Sequence, residues 1–256
     1  MKHTVEQVEA HYDEYTPLYL KTTGPFIHGS YRFSGTEEEI ADVIIAEAGI
    51  EDGMTLLDAG CGVCGPSVQI CKKLDVRVEA LTLSQVQVDI ARERIAENKL
   101  ENRVPVRKGD YHKLEDHFAA ETFDRILFIE SLEHSVDLEK ALSSAHAVLK
   151  PGGSIYMRTH CAATEVHPEQ QERLNAFIRL WVEDCGLGPH SIHDLVKACE
   201  TVGLDIQTMK EPDFDIDDSG CLKFEKESGR KLLIDEIELD FAPIVYWILN
   251  CGKASP

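Results

Sequence analysis

The sequence has little positive charge and no long apolar run. Among its 256 residues, 46 are Asp or Glu and only 26 are Lys or Arg, which gives a formal net charge of −20. This balance disfavours nonspecific attraction to nucleic acid or to anionic membranes. No apolar stretch is long enough to span a bilayer, so we expect no stable membrane association. A small-molecule substrate is the partner that this composition favours.

The sequence also lacks the dense cysteine framework of a small secreted protein. Its eight cysteines are scattered, which predicts reduced thiols. The opening segment MKHTVEQVEAHYDEY has no apolar core of the signal-peptide type, so we expect a cytoplasmic location. Cys61 and Cys64 form a C-x-x-C, but no second pair follows at zinc spacing, and no metal ligand is predicted.

The most informative stretch present is TLLDAGCGVCG, at residues 55–65. A short apolar run ends at Asp58 and is followed by Gly60, Gly62 and Gly65 in a G-x-G-x-x-G spacing. Glycines there let the backbone turn tightly and approach a ligand closely before a helix begins. The pattern predicts a nucleotide-like cofactor over the carboxyl end of a first strand.

Strand and helix patterns alternate after this stretch. Strands are predicted at 54–57, 76–83, 104–108, 123–129, 154–158, 204–210 and 242–251, and helices at 85–98, 137–148 and 191–202. Such alternation is typical of an α/β fold with a doubly wound, mostly parallel sheet, here of seven strands. The alternation breaks at about 161–190, where residues 168–183 predict an inserted helix.

Two helices are predicted before the first strand. Thr4 with Gln7, and Thr36 with Glu39, have the spacing of capping boxes for helices at about 5–20 and 37–48. We interpret residues 1–50 as a helical cover over the active site and residues 51–256 as the cofactor-binding core. The sequence does not decide whether the chain forms a homo-oligomer.

The glycine spacing alone does not identify the cofactor. A nicotinamide-dependent oxidoreductase would need an acidic residue at the end of the second strand to hold the ribose. That end has the sequence TLSQ at residues 82–85, and Glu79 falls in the middle of the strand. The oxidoreductase hypothesis is therefore the weaker one.

Four motifs together resemble the class I S-adenosylmethionine-dependent methyltransferases over nearly the whole chain. They are LDAGCG at 57–62, GDY at 109–111, FDRI at 123–126 and LKPGG at 149–153. The resemblance implies a Rossmann-like methyltransferase fold with S-adenosyl-L-methionine as cofactor. The implied cofactor-binding residues are Asp58, Gly60, Gly62, Thr82, Gln87, Asp110, Tyr111 and Ile129. In this assignment Asp58 and the glycines lie at the methionine end, and Asp110 and Tyr111 lie at the adenine.

A finer resemblance points to the sterol, cyclopropane-lipid and prenyl-diphosphate C-methyltransferases. The segment LTLSQVQ at 81–87 is similar to their second motif, with Thr82 and Gln87 where most methyltransferases have an acid, and Gln85 is a near alternative. This group places an acidic residue against the substrate after the fourth strand, a role that falls on Glu130. A cyclopropane-type bicarbonate pattern and a complete sterol-type substrate region are not evident, so the acceptor stays open.

The resemblance implies C-methylation of an isoprenoid alkene such as a prenyl diphosphate. Glu130 could stabilise a carbocation and accept its proton, or it could be a satisfied polar residue near the cofactor. The catalytic candidates are Glu130, His134 and Tyr31. The substrate-binding candidates, several of them cationic to suit a diphosphate accompanied by Mg²⁺, are Tyr19, Lys21, His28, Arg32, Arg158, His160 and Trp181. An N- or O-methyltransferase with Glu130 or His134 as general base, and a noncatalytic cofactor-binding protein, are the alternatives.

Overall fold

The computed structural model describes residues 3–26, 32–33, 35–185, 188, 190–212, 216–217, 219–229 and 244–254. The strands of this part are β1 Arg32–Phe33, β2 Thr55–Ala59, β3 Arg77–Thr82, β4 Val106–Lys108, β5 Phe123–Ile129, β6 Leu149–Ala162, β7 Leu204–Lys210, β8 Ile216–Asp217 and β9 Ile244–Lys253. Its α-helices are α1 Val5–Thr23, α2 Glu37–Ala48, α3 Gly65–Lys73, α4 Gln85–Glu97, α5 Leu138–Val148, α6 Gln171–Cys185, α7 Ile192–Thr201 and α8 Ser219–Ser228. Three short 3₁₀ helices cover Tyr111–Asp116, Leu132–His134 and Pro168–Gln170.

Seven strands form one sheet in the order β4-β3-β2-β5-β6-β9-β7. The first five in this order are parallel, and β9 runs antiparallel to both β6 and β7. The prediction of a mostly parallel seven-stranded sheet is therefore confirmed. Strand order reverses beside β2, which places a crevice at the carboxyl ends of β2 and its neighbours, where open α/β sheets bind ligands.

Helices cover both faces of this sheet because its central strands are apolar on both sides. Leu56 and Leu57 are consecutive residues of β2, and both are completely buried. Side chains alternate along a strand, so the two leucines belong to different cores. Leu56 packs in the core that includes α2, α3 and α4, and Leu57 packs in the core that includes α5 and α7. The fold is doubly wound, as predicted.

Both predicted capping boxes are present. The amide of Gln7 donates to the Thr4 hydroxyl at 3.3 Å while the Gln7 side chain accepts from the Thr4 amide at 2.8 Å, and Thr36 with Glu39 repeats the arrangement. These caps fix where α1 and α2 begin. Helix α1 packs against α4 and α8. No helix among the described residues is long and apolar enough to cross a membrane.

Several elements differ from the sequence prediction, among them β1 and β8, which were not predicted and pair with each other as a small antiparallel sheet. Strand β6 extends from Leu149 to Ala162, whereas the sequence pattern predicted only 154–158; its nine residues 154–162 pair with β9, and Leu149 pairs with Phe123 of β5. Helix α8, at Ser219–Ser228, was not predicted. The inserted helix is present as α6, directly after the 3₁₀ turn at Pro168–Gln170.

Candidate functional site

A cavity of about 680 Å³, its open mouth included, lies at the carboxyl ends of β2, β3 and β5. Helix α1 contributes Val8 and Tyr12 to its wall, and Phe26 follows that helix. The predicted site residues among its lining are Asp58, Gly60, Gly62, Thr82, Gln87, Tyr111, Ile129, Glu130 and His134. Asp110 lies between two lining residues, Gly109 and Tyr111. The structure thus brings together the residues that the resemblance assigned to the cofactor.

Three residues of the glycine loop, Gly60, Gly62 and Cys64, have a positive φ. Gly60 has φ +92° and Gly62 has φ +52°, a region that residues with a side chain rarely adopt. A Cβ at Gly60 would also collide with the side chain of Ser131, whose hydroxyl donates to the carbonyl of Ala59 at 2.6 Å. Only glycine fits this position, and the loop is held against the segment that follows β5.

Asp58 gives one end of the cavity a carboxyl group. It is 2% exposed, and its Oδ2 accepts the hydroxyl of Ser67 at 2.5 Å. Burial raises the pKa of Asp58 to about 6, and the Ser67 hydrogen bond lowers it. The group is therefore mostly ionised at neutral pH and suits an ammonium ligand such as the amino group of a methionine moiety.

Thr82 and Gln87 occupy the position where a dinucleotide enzyme would have an acid. The Thr82 hydroxyl donates to the side-chain Oε1 of Gln87 at 2.5 Å, and the backbone amide of Gln87 donates to the hydroxyl of Ser84 at 3.1 Å. Because the side-chain oxygen of Gln87 is engaged, its side-chain NH₂ group is the part that can donate to a ligand. The two hydroxyl groups of a ribose can accept hydrogen bonds from this NH₂ group and donate one to the Thr82 oxygen.

Asp110 and Tyr111 follow β4. The Tyr111 hydroxyl donates to the carbonyl of Ser131 at 3.0 Å. Oδ1 of Asp110 accepts two bonds from His112, from the backbone amide at 2.9 Å and from ring Nδ1 at 2.6 Å. Partial burial raises the pKa of Asp110, but these hydrogen bonds outweigh it and the pKa lies below its usual value. An ionised carboxylate at this position suits the amino group of an adenine. The residues of the cavity therefore fit S-adenosyl-L-methionine.

Glu130 lies where β5 ends and faces the cavity. Its backbone is left-handed, with φ +48°, and its amide donates to the carbonyl of Arg158 at 2.7 Å. Such strain in a residue other than glycine is common at functional sites. Burial raises the pKa of the Glu130 carboxyl well above its ordinary value, and the fully buried guanidinium of Arg158 lowers it. Glu130 and Arg158 are neighbours because the residue before Glu130, Ile129 of β5, is the register partner of Arg158 in β6.

His134 reaches the same cavity from the 3₁₀ turn after β5. Its Nε2 is 2.8 Å from the hydroxyl of Tyr12 on α1, and its carbonyl is 2.9 Å from Nε2 of His3. Two bonds therefore tie the N-terminal segment to the turn that carries His134.

A buried pair, Glu133 and His160, lies beside this site and was not predicted as a unit. Nδ1 of His160 is 3.5 Å from Oε1 of Glu133, and the Thr159 hydroxyl donates to Oε2 at 3.0 Å. Burial raises the pKa of Glu133 to about 7 and lowers that of His160 to about 4. Both residues line a second, smaller cavity of about 190 Å³. No local sequence pattern joins residues 27 positions apart, so the pair becomes visible only with the strand register.

The other substrate-binding candidates are spread over the molecule. The Tyr19 hydroxyl is 3.0 Å from Nε2 of His11, and the Tyr19 ring stacks on Phe224 of α8 at 4.4 Å. Lys21 forms an ion pair with Glu227 of α8 on the surface. Lys21 is exposed whereas Arg158 is completely buried, so the structure does not bring these two cations together. The remaining candidates, Tyr31, His28 and the side chains of Arg32 and Trp181, lie outside the described residues.

The sequence matches the mycolic acid cyclopropane synthetase family over residues 1–216. The chain belongs to this family. A sterol 24-C-methyltransferase of Debaryomyces hansenii is 30% identical over 158 residues, which are 62% of this chain and 41% of that protein. The chain thus spans less than half the length of this relative.

Solved structures share the fold. A [4+2]-cyclase, SpnF, superposes with a TM-score of 0.79 at 22% identity and covers 100% of this chain and 98% of its own. The geranyl diphosphate C-methyltransferase of Streptomyces coelicolor A3(2) gives a TM-score of 0.75 at 17% identity and covers 99% of this chain and 100% of its own. It was solved with Mg²⁺, geranyl diphosphate and S-adenosyl-L-homocysteine. The predicted membership of the class I S-adenosylmethionine-dependent methyltransferases is confirmed for family, fold and cofactor.

Proposed function

We propose that this chain is an S-adenosylmethionine-dependent C-methyltransferase that acts on an isoprenoid alkene such as a prenyl diphosphate. The observation that carries the proposal is Glu130, a buried carboxyl group on the cofactor cavity whose pKa is raised by burial and lowered by the Arg158 guanidinium. The Debaryomyces relative is named for methylation at a carbon, and so is the Streptomyces structure. The fold alone does not decide the chemistry, since SpnF is a cyclase.

The cofactor supplies a methyl group already activated on a sulfonium. The chain's residues then have to hold the alkene in line, exclude water and remove one proton. The alkene π electrons form the new carbon–carbon bond while the carbon–sulfur bond breaks, which leaves a carbocation on the substrate. A Glu130 carboxylate stabilises that cation and accepts the proton from the adjacent carbon, so the alkene is restored and Glu130 becomes neutral.

The environment of Glu130 suits this role. Burial favours its neutral form, whereas a cation in the cavity favours the carboxylate, so the base is ionised when positive charge is present. The Tyr12 ring lines the same cavity and can present its face to a cation. With a diphosphate acceptor, Mg²⁺ would accompany the substrate.

His134 supports a second candidate function. It lines the cavity, and the Tyr12 hydroxyl holds its Nε2. An imidazole so placed could act as general base toward a phenol or an amine. N- or O-methylation of a small metabolite is therefore the alternative.

A screen for S-adenosylhomocysteine release separates the two functions. The acceptors are isopentenyl, geranyl and farnesyl diphosphates and a set of amines and phenols, each with Mg²⁺ or with EDTA. We expect Mg²⁺-dependent turnover of a diphosphate that falls about 10²- to 10⁴-fold in Glu130→Gln, because a general base is lost. Glu139→Gln, an exposed change on α5, is the matched control. Turnover of an amine or phenol alone, indifferent to EDTA, would favour the alternative.

A further inference from the structure

His112 is a buried histidine outside the cavity lining whose two ring nitrogens both have partners. It is 4% exposed, Nδ1 is 2.6 Å from Oδ1 of Asp110, and Nε2 is 2.9 Å from the hydroxyl of Ser135. Ser135 is completely buried and also accepts the amide of Asp137 at 3.2 Å. These bonds form one chain from the end of β4 to the segment that follows β5.

The protonation pattern of this chain follows from Asp110. Its pKa is lowered, so the carboxylate is ionised and Nδ1 of His112 must donate to it. Nε2 on the other side of the ring is hydrogen-bonded to the Ser135 hydroxyl, so both ring nitrogens have a partner and the ring is held from two sides.

The consequence is a carboxylate whose orientation is set. Oδ1 of Asp110 takes the backbone amide and the ring Nδ1–H of His112 together, so the carboxyl group cannot rotate without breaking one of the two bonds. Asp110 lies in sequence between Gly109 and Tyr111, which line the cofactor cavity, and its second oxygen is an acceptor that neither of these two bonds uses. That acceptor has the chemistry to receive an exocyclic amino group and to repel a carbonyl oxygen.

We propose that His112 is a positioning residue that sets the base specificity of the cofactor site, making it select an adenine over a 6-oxopurine. The proposal rests on the function proposed above. It also gives the segment after β5 a part in cofactor choice, because Ser135 holds His112 from the side opposite Asp110.

Direct binding measurements test this without turnover. S-adenosylhomocysteine and S-inosylhomocysteine, in which a carbonyl replaces the amino group, are titrated by calorimetry into the full chain. We expect a preference for the adenine ligand of about 30-fold or more in the wild type, which falls below about threefold in His112→Ala. His112→Asn keeps a donor at the Nδ1 position and should recover most of the preference, and Ser135→Ala should lose part of it. His146→Ala, a half-buried histidine on α5, is the control.

The ratio of the two affinities is a readout that loss of structure would not move, because general loosening weakens both ligands alike. An unchanged ratio in His112→Ala, or equal losses in the Ala and Asn variants, would overturn the proposal. If His112→Ala fails to fold, His112→Asn and Ser135→Ala carry the same test. A wild type that binds neither ligand would overturn the proposed function itself and this inference with it.

Discussion

At the scale of single residues, Asp58 makes cofactor affinity depend on pH. Burial raises its pKa to about 6, and only the carboxylate attracts an ammonium group. Affinity for S-adenosylhomocysteine should therefore fall as pH drops through about 6. Ser67→Ala removes the hydrogen bond that lowers this pKa, so we expect the midpoint to move up by about one pH unit.

Calorimetric titrations of S-adenosylhomocysteine between pH 5 and 8 measure that midpoint. Ser154→Ala removes a buried hydroxyl at the opposite end of the sheet and should leave the pH midpoint unchanged. A midpoint that is equal in Ser67→Ala and wild type would mean that Asp58 does not titrate with the ligand.

Glu133 should affect stability rather than cofactor affinity. Its folded pKa of about 7 exceeds the ordinary 4.5, so the folded chain binds the proton more tightly and the free energy of unfolding declines as pH rises from about 4.5 to 7. The neighbouring His160 has the opposite effect, because its folded pKa of about 4 lies below 6.5 and stability rises between these values. In the wild type the two contributions oppose each other.

Glu133→Gln removes one of these opposing contributions. We expect the variant to gain stability relative to wild type as pH increases, by up to about 3 kcal/mol above pH 7, since one pKa unit corresponds to about 1.4 kcal/mol. Urea unfolding at pH 5, 6, 7 and 8 gives the difference directly. A difference that does not grow with pH would show that Glu133 titrates normally in the folded chain.

At the scale of elements, the carboxylate of Asp13 on α1 accepts hydrogen bonds from the N-terminus of α4. Oδ1 of Asp13 accepts the Ser84 hydroxyl at 2.5 Å and the amide of Val86 at 3.4 Å, at the N-terminus of α4, where negative charge is stabilising. Since α1 forms part of the cavity wall, we propose that residues 1–50 act as the cover and that ligand leaves when α1 lifts. Asp13→Ala should speed dissociation of S-adenosylhomocysteine about 3- to 10-fold.

Stopped-flow displacement measures this rate, and amide hydrogen exchange in α1 reports its opening. Glu9→Gln is the matched control, because the ion pair between Glu9 and Lys108 is partly exposed and such pairs contribute about 1 kcal/mol or less. Equal dissociation rates in Asp13→Ala and wild type would contradict a gating role for this contact.

The elements show what the sequence could and could not predict. Strands and helices around the glycine loop were predictable because each has a local signal: an apolar run, a cap or a glycine. The length of β6 was not, since its second half depends on pairing with β9, and α8 was missed although Gly229 follows its last residue. In the candidate site, Glu130 was predictable because it follows a recognisable strand. Its proximity to Arg158 was not, because that depends on the register of β5 and β6.

At the scale of the whole molecule, the net charge of −20 opposes the proposed substrate. A prenyl diphosphate is itself anionic, and at low salt the repulsion extends over a Debye length of about 30 Å at 0.01 M. Added salt shortens this length to about 8 Å at 0.15 M and weakens the repulsion. An anionic ligand should therefore reach this protein more readily as ionic strength rises.

This argument predicts an unusual salt dependence of catalysis. With Mg²⁺ held constant, kcat/KM for geranyl diphosphate should increase about two- to fivefold as KCl is raised from 0.01 to 0.15 M, because long-range repulsion slows encounter. S-adenosylhomocysteine, whose amino and carboxyl charges cancel, should bind with the same affinity across the range and serves as the internal control. A kcat/KM that falls with salt would mean that a local cationic site, rather than the field of the whole acidic molecule, governs capture of the diphosphate.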